Sequence, residues 1–191
     1  MTNIDLLQSI EDLERHYQSP GKTSRSKISL SLTPPMQRWL ACSPFLVMST
    51  CSDEGLDCSP RGDKPGEAFR ILDERTIAIP DRRGNNRIDT LRNLIKDPRV
   101  GLLFLVPGAD EALRIKGTAT ISVAPELLES FIAADQPAPA TVMVINISAA
   151  YVQNARAIRR SEMWNMHSHA DALQLPSAAE LSVIPPANSD Q

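Results

Sequence analysis

From Phe45 to Gln153 the chain alternates short runs of apolar and β-branched residues with clusters of Gly, Pro, Asp and Asn. That spacing is what a succession of antiparallel strands joined by tight turns requires. "FLVMSTC" reads as a strand, "SDEG" turns it back, and "LDCS" continues as a second strand before the loop "SPRGDKPG". "AFRIL" and "TIAIPD" form another pair around the turn "DER", with Pro80 predicted to end the pairing. "RVGLLFLVPG" is the most apolar strand, and its composition predicts burial on both faces. "ADEALRIKGTATISV" follows as its antiparallel partner, and "TVMVINISAAYVQ" is a late strand.

Helical periodicity is confined to shorter stretches. Leu6, Leu7, Ile10, Leu13 and Tyr17 recur at helical spacing until "SPG" at 19–21 stops them, and this apolar stripe must cover something. Thr33 is placed to cap a short helix running to about Ala41, with Pro34 just inside it. "IDTLRNLIKDP" puts Ile88, Leu91, Leu94 and Ile95 on one face and stops at Asp97-Pro98. It is a crossover between two strands that presents its N-terminus, and the loop "RRGNNR" before it, to a ligand. "APELLESFIAA" is a helix with Pro125 near its first position, and another runs over Ala155–Met166. Beyond His169 the chain lacks periodicity and reads as a flexible tail. Hairpin connections with helices at ends and corners predict a mainly β antiparallel barrel with flanking helices, one domain over 1–170 followed by the tail at 171–191.

Composition narrows the function. The 191 residues carry a net charge of −3, against a general nucleic-acid or anionic-membrane binder. No apolar run approaches the roughly 18 residues that span a bilayer, and the acidic, amphipathic start is unlike a signal peptide, so the expected location is cytoplasmic. Cys42, Cys51 and Cys58 lack metal-ligand spacing and are odd in number; they read as reduced residues, with no metal site. His16, His167 and His169 are scattered near the ends without Asp and Ser partners for a triad.

The two basic loops carry the functional signal. "SPRGDKPG" is either a turn in which Asp63 accepts local N–H groups or a cradle for an anion. "RRGNNR" sets three arginines beside the free N–H groups and positive end of the helix that follows.

In this order the segments resemble the pyridoxamine 5'-phosphate oxidase-like, FMN-binding split-barrel family. The resemblance runs from "SPFLVMST" to "SEMW" and rests on "DCSPRGDKPG", "RTIAIPDRRGNNRIDTLRN", "DPRVGLLFLVPG" and "LRIKGTA", which look like a branch of unassigned substrate. It implies a split barrel and a homodimer holding FMN at the subunit interface, with a dianionic phosphate that calls for charge-assisted donors. By this resemblance Ser59, Arg61, Gly62, Asp63 and Lys64 form the first flavin segment, and Ile79, Pro80 and Asp81 the second, where backbone meets the isoalloxazine ring. Asn85, Asn86 and Arg87 fall where the oxidases carry a Ser-Arg-Lys phosphate cluster; the loop here is longer, leaving open which of Arg82, Arg83 and Arg87 reaches the phosphate. Arg114 is either a flavin contact from the partner subunit or an exposed strand cation, and Trp164, with Arg160, either closes the pocket or packs at the dimer seam.

The resemblance thus implies an FMN-dependent oxidoreductase acting on a small molecule by hydride transfer at flavin N5. No residue is singled out as a general base, since flavin supplies the redox chemistry. The C-terminal "AELSVIPPANSDQ" lacks the basic residues with which the oxidases grip pyridoxamine phosphate, which argues against that activity. The alternative is a flavin-binding or storage protein without turnover, a reading kept open by relatives that use heme or a deazaflavin.

Overall fold

Gly55, at φ +122°, closes the first hairpin: it pairs with Ser52 across Asp53-Glu54, a turn that a side chain with Cβ would strain. The hairpin's arms are β1 (Phe45–Ser52) and β2 (Gly55–Gly62). The computed structural model describes residues 6–17, 28–154, 156–168, 170 and 174–182. The chain divides into two compact units, Met1–Asn154 and Ala155–Gln191.

The first unit carries a seven-stranded antiparallel sheet. After the first hairpin come β3 (Arg70–Asp73), β4 (Thr76–Asp81), β5 (Arg99–Leu105), β6 (Glu111–Ser122) and β7 (Thr141–Asn154), in the spatial order β2-β1-β5-β6-β7-β4-β3. The sheet is rolled. Arg61 on β2 and Asp81 on β4 stand far apart in that order, yet their side chains meet at 2.7 Å. This is the mainly β split barrel that the sequence led us to expect.

Side chains alternate across the roll. Leu46 and Met48, Leu102 and Phe104, Leu113 and Ile115, and Ile145 point inward to one core, joined by Leu32 and by Leu40 from α2 (Pro34–Leu40). Phe104 is fully buried with the Phe69 ring edge-on at 4.9 Å; a burial of this kind contributes about 1.5–3 kcal/mol. Thr33 caps α2 by accepting the Met36 N–H, with Pro34 at the first turn. At Gly117 a β-bulge brings β7 so near that an added Cβ would stand 2.2 Å from the Asn146 carbonyl oxygen.

Several expectations are corrected here. The first half of "SPRGDKPG" is strand, not loop, because Ser59–Gly62 continue the ladder opposite Met48, Val47, Leu46 and Phe45. Pro60 is tolerated since β2 is an edge strand. Pro80 does not end the pairing: the β3 side stops at Ala78, but the β7 side continues through Pro80 to Asp81. The strand covered on both faces is β4, not β5. Ile77 and Ile79 face the main core, and Ala78 packs in a second cluster with Phe131 and Val142 beneath α4 (Pro125–Glu129). On β5, Val100, Leu102 and Phe104 are buried while Gly101 and Leu103 remain partly exposed.

The crossover helix α3 (Asp89–Lys96) buries Thr90 and Leu94, and Leu91 packs on the core; Ile95 instead points to solvent, 76% exposed. An N-terminal helix α1 (Ile10–Arg15) forms where the spacing placed it, but none of its side chains is buried. In the second unit the helix expected over Ala155–Met166 is shorter, α5 (Arg156–Arg160), because Glu162 adopts φ +50° and a turn leads to a 3-10 segment at Met166–Ser168. A further helical turn, α6 (Ala178–Leu181), carries a capping box between Ser177 and Glu180; the spacing Ser-x-x-Glu was its readable signal. His169, which closed the list of histidines, lies outside the described residues.

Candidate functional site

β2 sets the site by strand alternation. Asp57, Ser59 and Arg61 project to one side, in register with Thr50, Met48 and Leu46, toward the start of α3 and the end of β4. Thr90, buried on the first turn of α3, donates its hydroxyl proton to Asp57 Oδ2 at 3.0 Å. Ser59 is therefore the donor in its 3.3 Å contact with Thr90 Oγ1.

Arg61 is the charged centre of this group. Its Nη1 donates to Asp81 Oδ1 at 2.7 Å, and the two side chains are 23% and 16% exposed. Its Nε is buried and has no hydrogen-bond partner. A buried guanidinium N–H without an acceptor is costly, so the donor set here is incomplete. Nearby, the N-cap of α3 is Ile88, which offers no side-chain cap to the first helical N–H groups. Gly62 keeps the end of β2 close-packed, since a Cβ there would meet the Phe45 ring and the Pro44 carbonyl oxygen at 3.2 Å.

The other residues of the two basic loops separate into distinct roles. Asp63 faces the protein: its carboxylate accepts from the Lys64 backbone N–H and from Gln136 Nε2, and stands 3.6 Å from Arg82 Nε. Arg82 is committed inward, donating to the backbone carbonyls of Phe131 and Pro137. Arg61–Asp81 and Asp63–Arg82 thus form two crossed pairs that tie the end of β2 to the end of β4. Lys64 is exposed and paired with Asp135 at 2.6 Å; that hydrogen bond raises its pKa above the ordinary lysine value. Arg83 is exposed, and Arg87, also exposed, pairs with Asp89 at 2.9 Å. Asn85 accepts the Arg87 backbone N–H, and Asn86 takes the left-handed conformation at φ +59°. Of the three arginines of this loop, Arg82 spends both Nη groups on backbone carbonyls, while its buried Nε has no hydrogen-bond partner.

Ile79 and Pro80 are buried as whole residues, Ile79 with no exposed surface, so within one chain neither presents its backbone to a ring. Arg114 stands on the opposite, outer face of the sheet, its guanidinium 5.3 Å from the centre of the Tyr151 ring and its Nη1 donating to Gln153. Trp164 is half-buried in the second unit. Sequence reading missed Thr90 and Asp57. Thr90 lies four residues before Leu94 on the buried side of α3, and a hydroxyl on an apolar face was the available signal. Asp57 offered none, because only the ladder shows which side of β2 it occupies.

A cavity of about 470 Å³ opens between the β1–β2 turn and α3, with Leu56, Asp57, Asp89, Arg92 and Asn93 in its wall. It adjoins the group through Asp57, whereas Arg61 is not part of the wall. The three cysteines are free thiols. No helix among the described residues is long and apolar enough to cross a membrane.

HupZ of Group A Streptococcus aligns with a TM-score of 0.53 and 17% identity, over 65% of this chain and 95% of that one. A putative pyridoxamine 5'-phosphate oxidase from Lactobacillus delbrueckii aligns with a TM-score of 0.51 and 18% identity, over 64% of this chain and 95% of that one. At such identities the likeness is one of fold. No curated protein matches the sequence. The profile of the family described as "Pyridoxamine 5'-phosphate oxidase" matches residues 32–155, the stretch that holds all seven strands and every pairing at the site. The chain belongs to the pyridoxamine 5'-phosphate oxidase family.

Proposed function

We propose that the protein is an FMN-binding oxidoreductase, acting on a small molecule outside the vitamin-oxidation reaction that gives the family its name. The observation that carries this reading is the buried, unpartnered Nε of Arg61, set beside the Ser59 and Thr90 hydroxyls. A guanidinium fork with adjacent hydroxyls suits a phosphate dianion. The residues present fit the group at Arg61, whose Nε would donate to the phosphate; Ser59 would join it by turning its hydroxyl proton from Thr90 to the phosphate, with Arg87 or Arg83 approaching from the loop. Bound flavin supplies the redox chemistry by taking or giving a hydride at N5.

The chain's own residues do the rest. Asp81 orients Arg61, Thr90 fixes Ser59 against Asp57, and the crossed pair Asp63–Arg82 holds the two strand ends at constant separation. A homodimer is part of the proposal, supported by Val47 and Leu103, which leave an apolar outer face on β1 and β5 partly uncovered within one chain. The cell compartment we assign to it is the cytoplasm.

The absorbance spectrum of the purified protein, before and after adding FMN and desalting, tests the reading, with released cofactor identified by mass. Retained flavin bands are expected, reduced and reoxidised over repeated cycles when a donor is supplied. Retention without turnover would instead mark a carrier. A colourless protein that retains nothing would overturn the site assignment.

A further inference from the structure

The helix α1 is amphipathic, and its apolar side is bare. Ile10 and Leu13 of α1 are 65% and 41% exposed, and Leu6 and Tyr17, which lie before and after it, are 70% and 71% exposed. Six helical residues are too few to hold together in water without packing. Its charges are also unevenly used: Asp12 pairs with Arg15, while Glu11 and Glu14 have no cationic partner among the described residues.

The outer face of the sheet has the complementary character. One row across four strands runs Val47, Leu103, Arg114 and Tyr151, and the next row on the same face runs Ser49, Gly101, Lys116 and Ala149. Val47, Leu103 and Tyr151 are half-buried, whereas Arg114 and Lys116 are exposed and have no carboxylate partner among the described residues. An apolar strip beside two cations without a carboxylate partner matches an apolar stripe beside two carboxylates without a cationic one, among the described residues. Both surfaces belong to one chain, so a two-fold pair of copies would satisfy each of them twice.

We propose that α1 of one copy lies across the β1–β5–β6 face of a second copy, with Ile10 and Leu13 against the Val47–Leu103 strip and Glu14 toward Lys116. This rests on the dimer reading given above and names what fills its interface. After α1 the next described pairing is that of Ser29 with Ala150 on β7, and a span of thirteen residues can extend to at most about 45 Å.

The test is sedimentation of the full-length chain and of two charge reversals, Glu14→Lys and Lys116→Glu, alone and mixed in equal amounts. Each single variant should dissociate at about tenfold higher concentration than the parent. The mixture should recover parental affinity, because in a mixed pair each contact again joins opposite charges. Recovery on mixing cannot arise if the contact lies within one chain. Variants that dimerise like the parent, or a mixture as weak as its components, would overturn the exchange while leaving a dimer in place. A parent that stays monomeric at tens of micromolar would overturn the dimer reading itself. Should Lys116→Glu disturb folding, the Ile10→Glu/Leu13→Glu double variant alters only exposed positions of α1; an unchanged dimer affinity for it overturns the proposal just as well.

Discussion

β4 and β5 are both strongly apolar strands of one sheet, yet they are covered differently. β4 is sealed twice: Ile77 and Ile79 face the barrel core, while Ala78 meets Phe131 and Val142 under α4. β5 is sealed along its inner side, while its outer side is closed only at Leu105 and left half-open at Leu103. Apolar composition therefore says that a surface needs covering, and not what covers it. On β4 the cover is another part of the chain; on β5 we assign it to a second copy.

Truncating the intrachain cover should have the largest effect. Phe131 is 2% exposed, and Phe131→Ala should lower the unfolding free energy by about 3–5 kcal/mol in denaturant titration, at any protein concentration. A loss below about 1 kcal/mol would mean that β4's outer face does not depend on α4 and its neighbours.

Next comes the tie at the end of β4. Asp81→Asn removes the anion that Arg61 faces in a partly buried setting, and should cost about 1–3 kcal/mol after allowance for its residual exposure. Arg61→Ala should lose about 1–3 kcal/mol of flavin affinity by equilibrium dialysis, and more than Arg87→Ala, whose side chain is 79% exposed. Equal losses from the two would place the phosphate nearer the loop than β2.

Leu103→Ala sharpens the contrast from the β5 side. It should shift the unfolding free energy of the dissociated chain by about 1 kcal/mol or less, while raising the dimer dissociation constant about tenfold. A stability loss as large as that of Phe131→Ala would erase the distinction between the two strands.

The smallest effect is expected where β5 begins. Hydrogen bonds from the Arg99 guanidinium hold the Asp97 carboxyl well below the usual carboxylate range. A carboxyl depressed in the folded state adds stability above its unfolded pKa, about 4, and loses it as pH falls through the folded value. The difference in melting temperature between the parent and Asp97→Asn should be small and flat from pH 7 to about 4, then shrink in more acid solution. A difference that grows on acidification would contradict the pairing.

Much of this was legible in advance, and the exceptions share a cause. The turns at "SDEG" and "DER", the Thr33 cap and the crossover helix follow from local chemistry, since a positive φ or an orphan N–H is satisfied by residues a few positions away. Arg61 and Asp81 were each singled out, but their pairing was not: they lie twenty residues apart on strands that meet only because the sheet rolls. Arg82 was one of three loop arginines left open as phosphate contacts, and its Nη groups instead act as a strut because the loop carbonyls of Phe131 and Pro137 arrive beside it.

The sequence by itself determined an antiparallel succession of strands, one helical crossover and two basic loops. It also carried the family resemblance that the profile match and fold support. Only the tertiary structure decided which face of each strand is covered and which carboxylates and carbonyls each arginine meets. Periodicity records how a segment relates to an interior, whereas ion pairs and burial depend on what the folded chain brings to the other side.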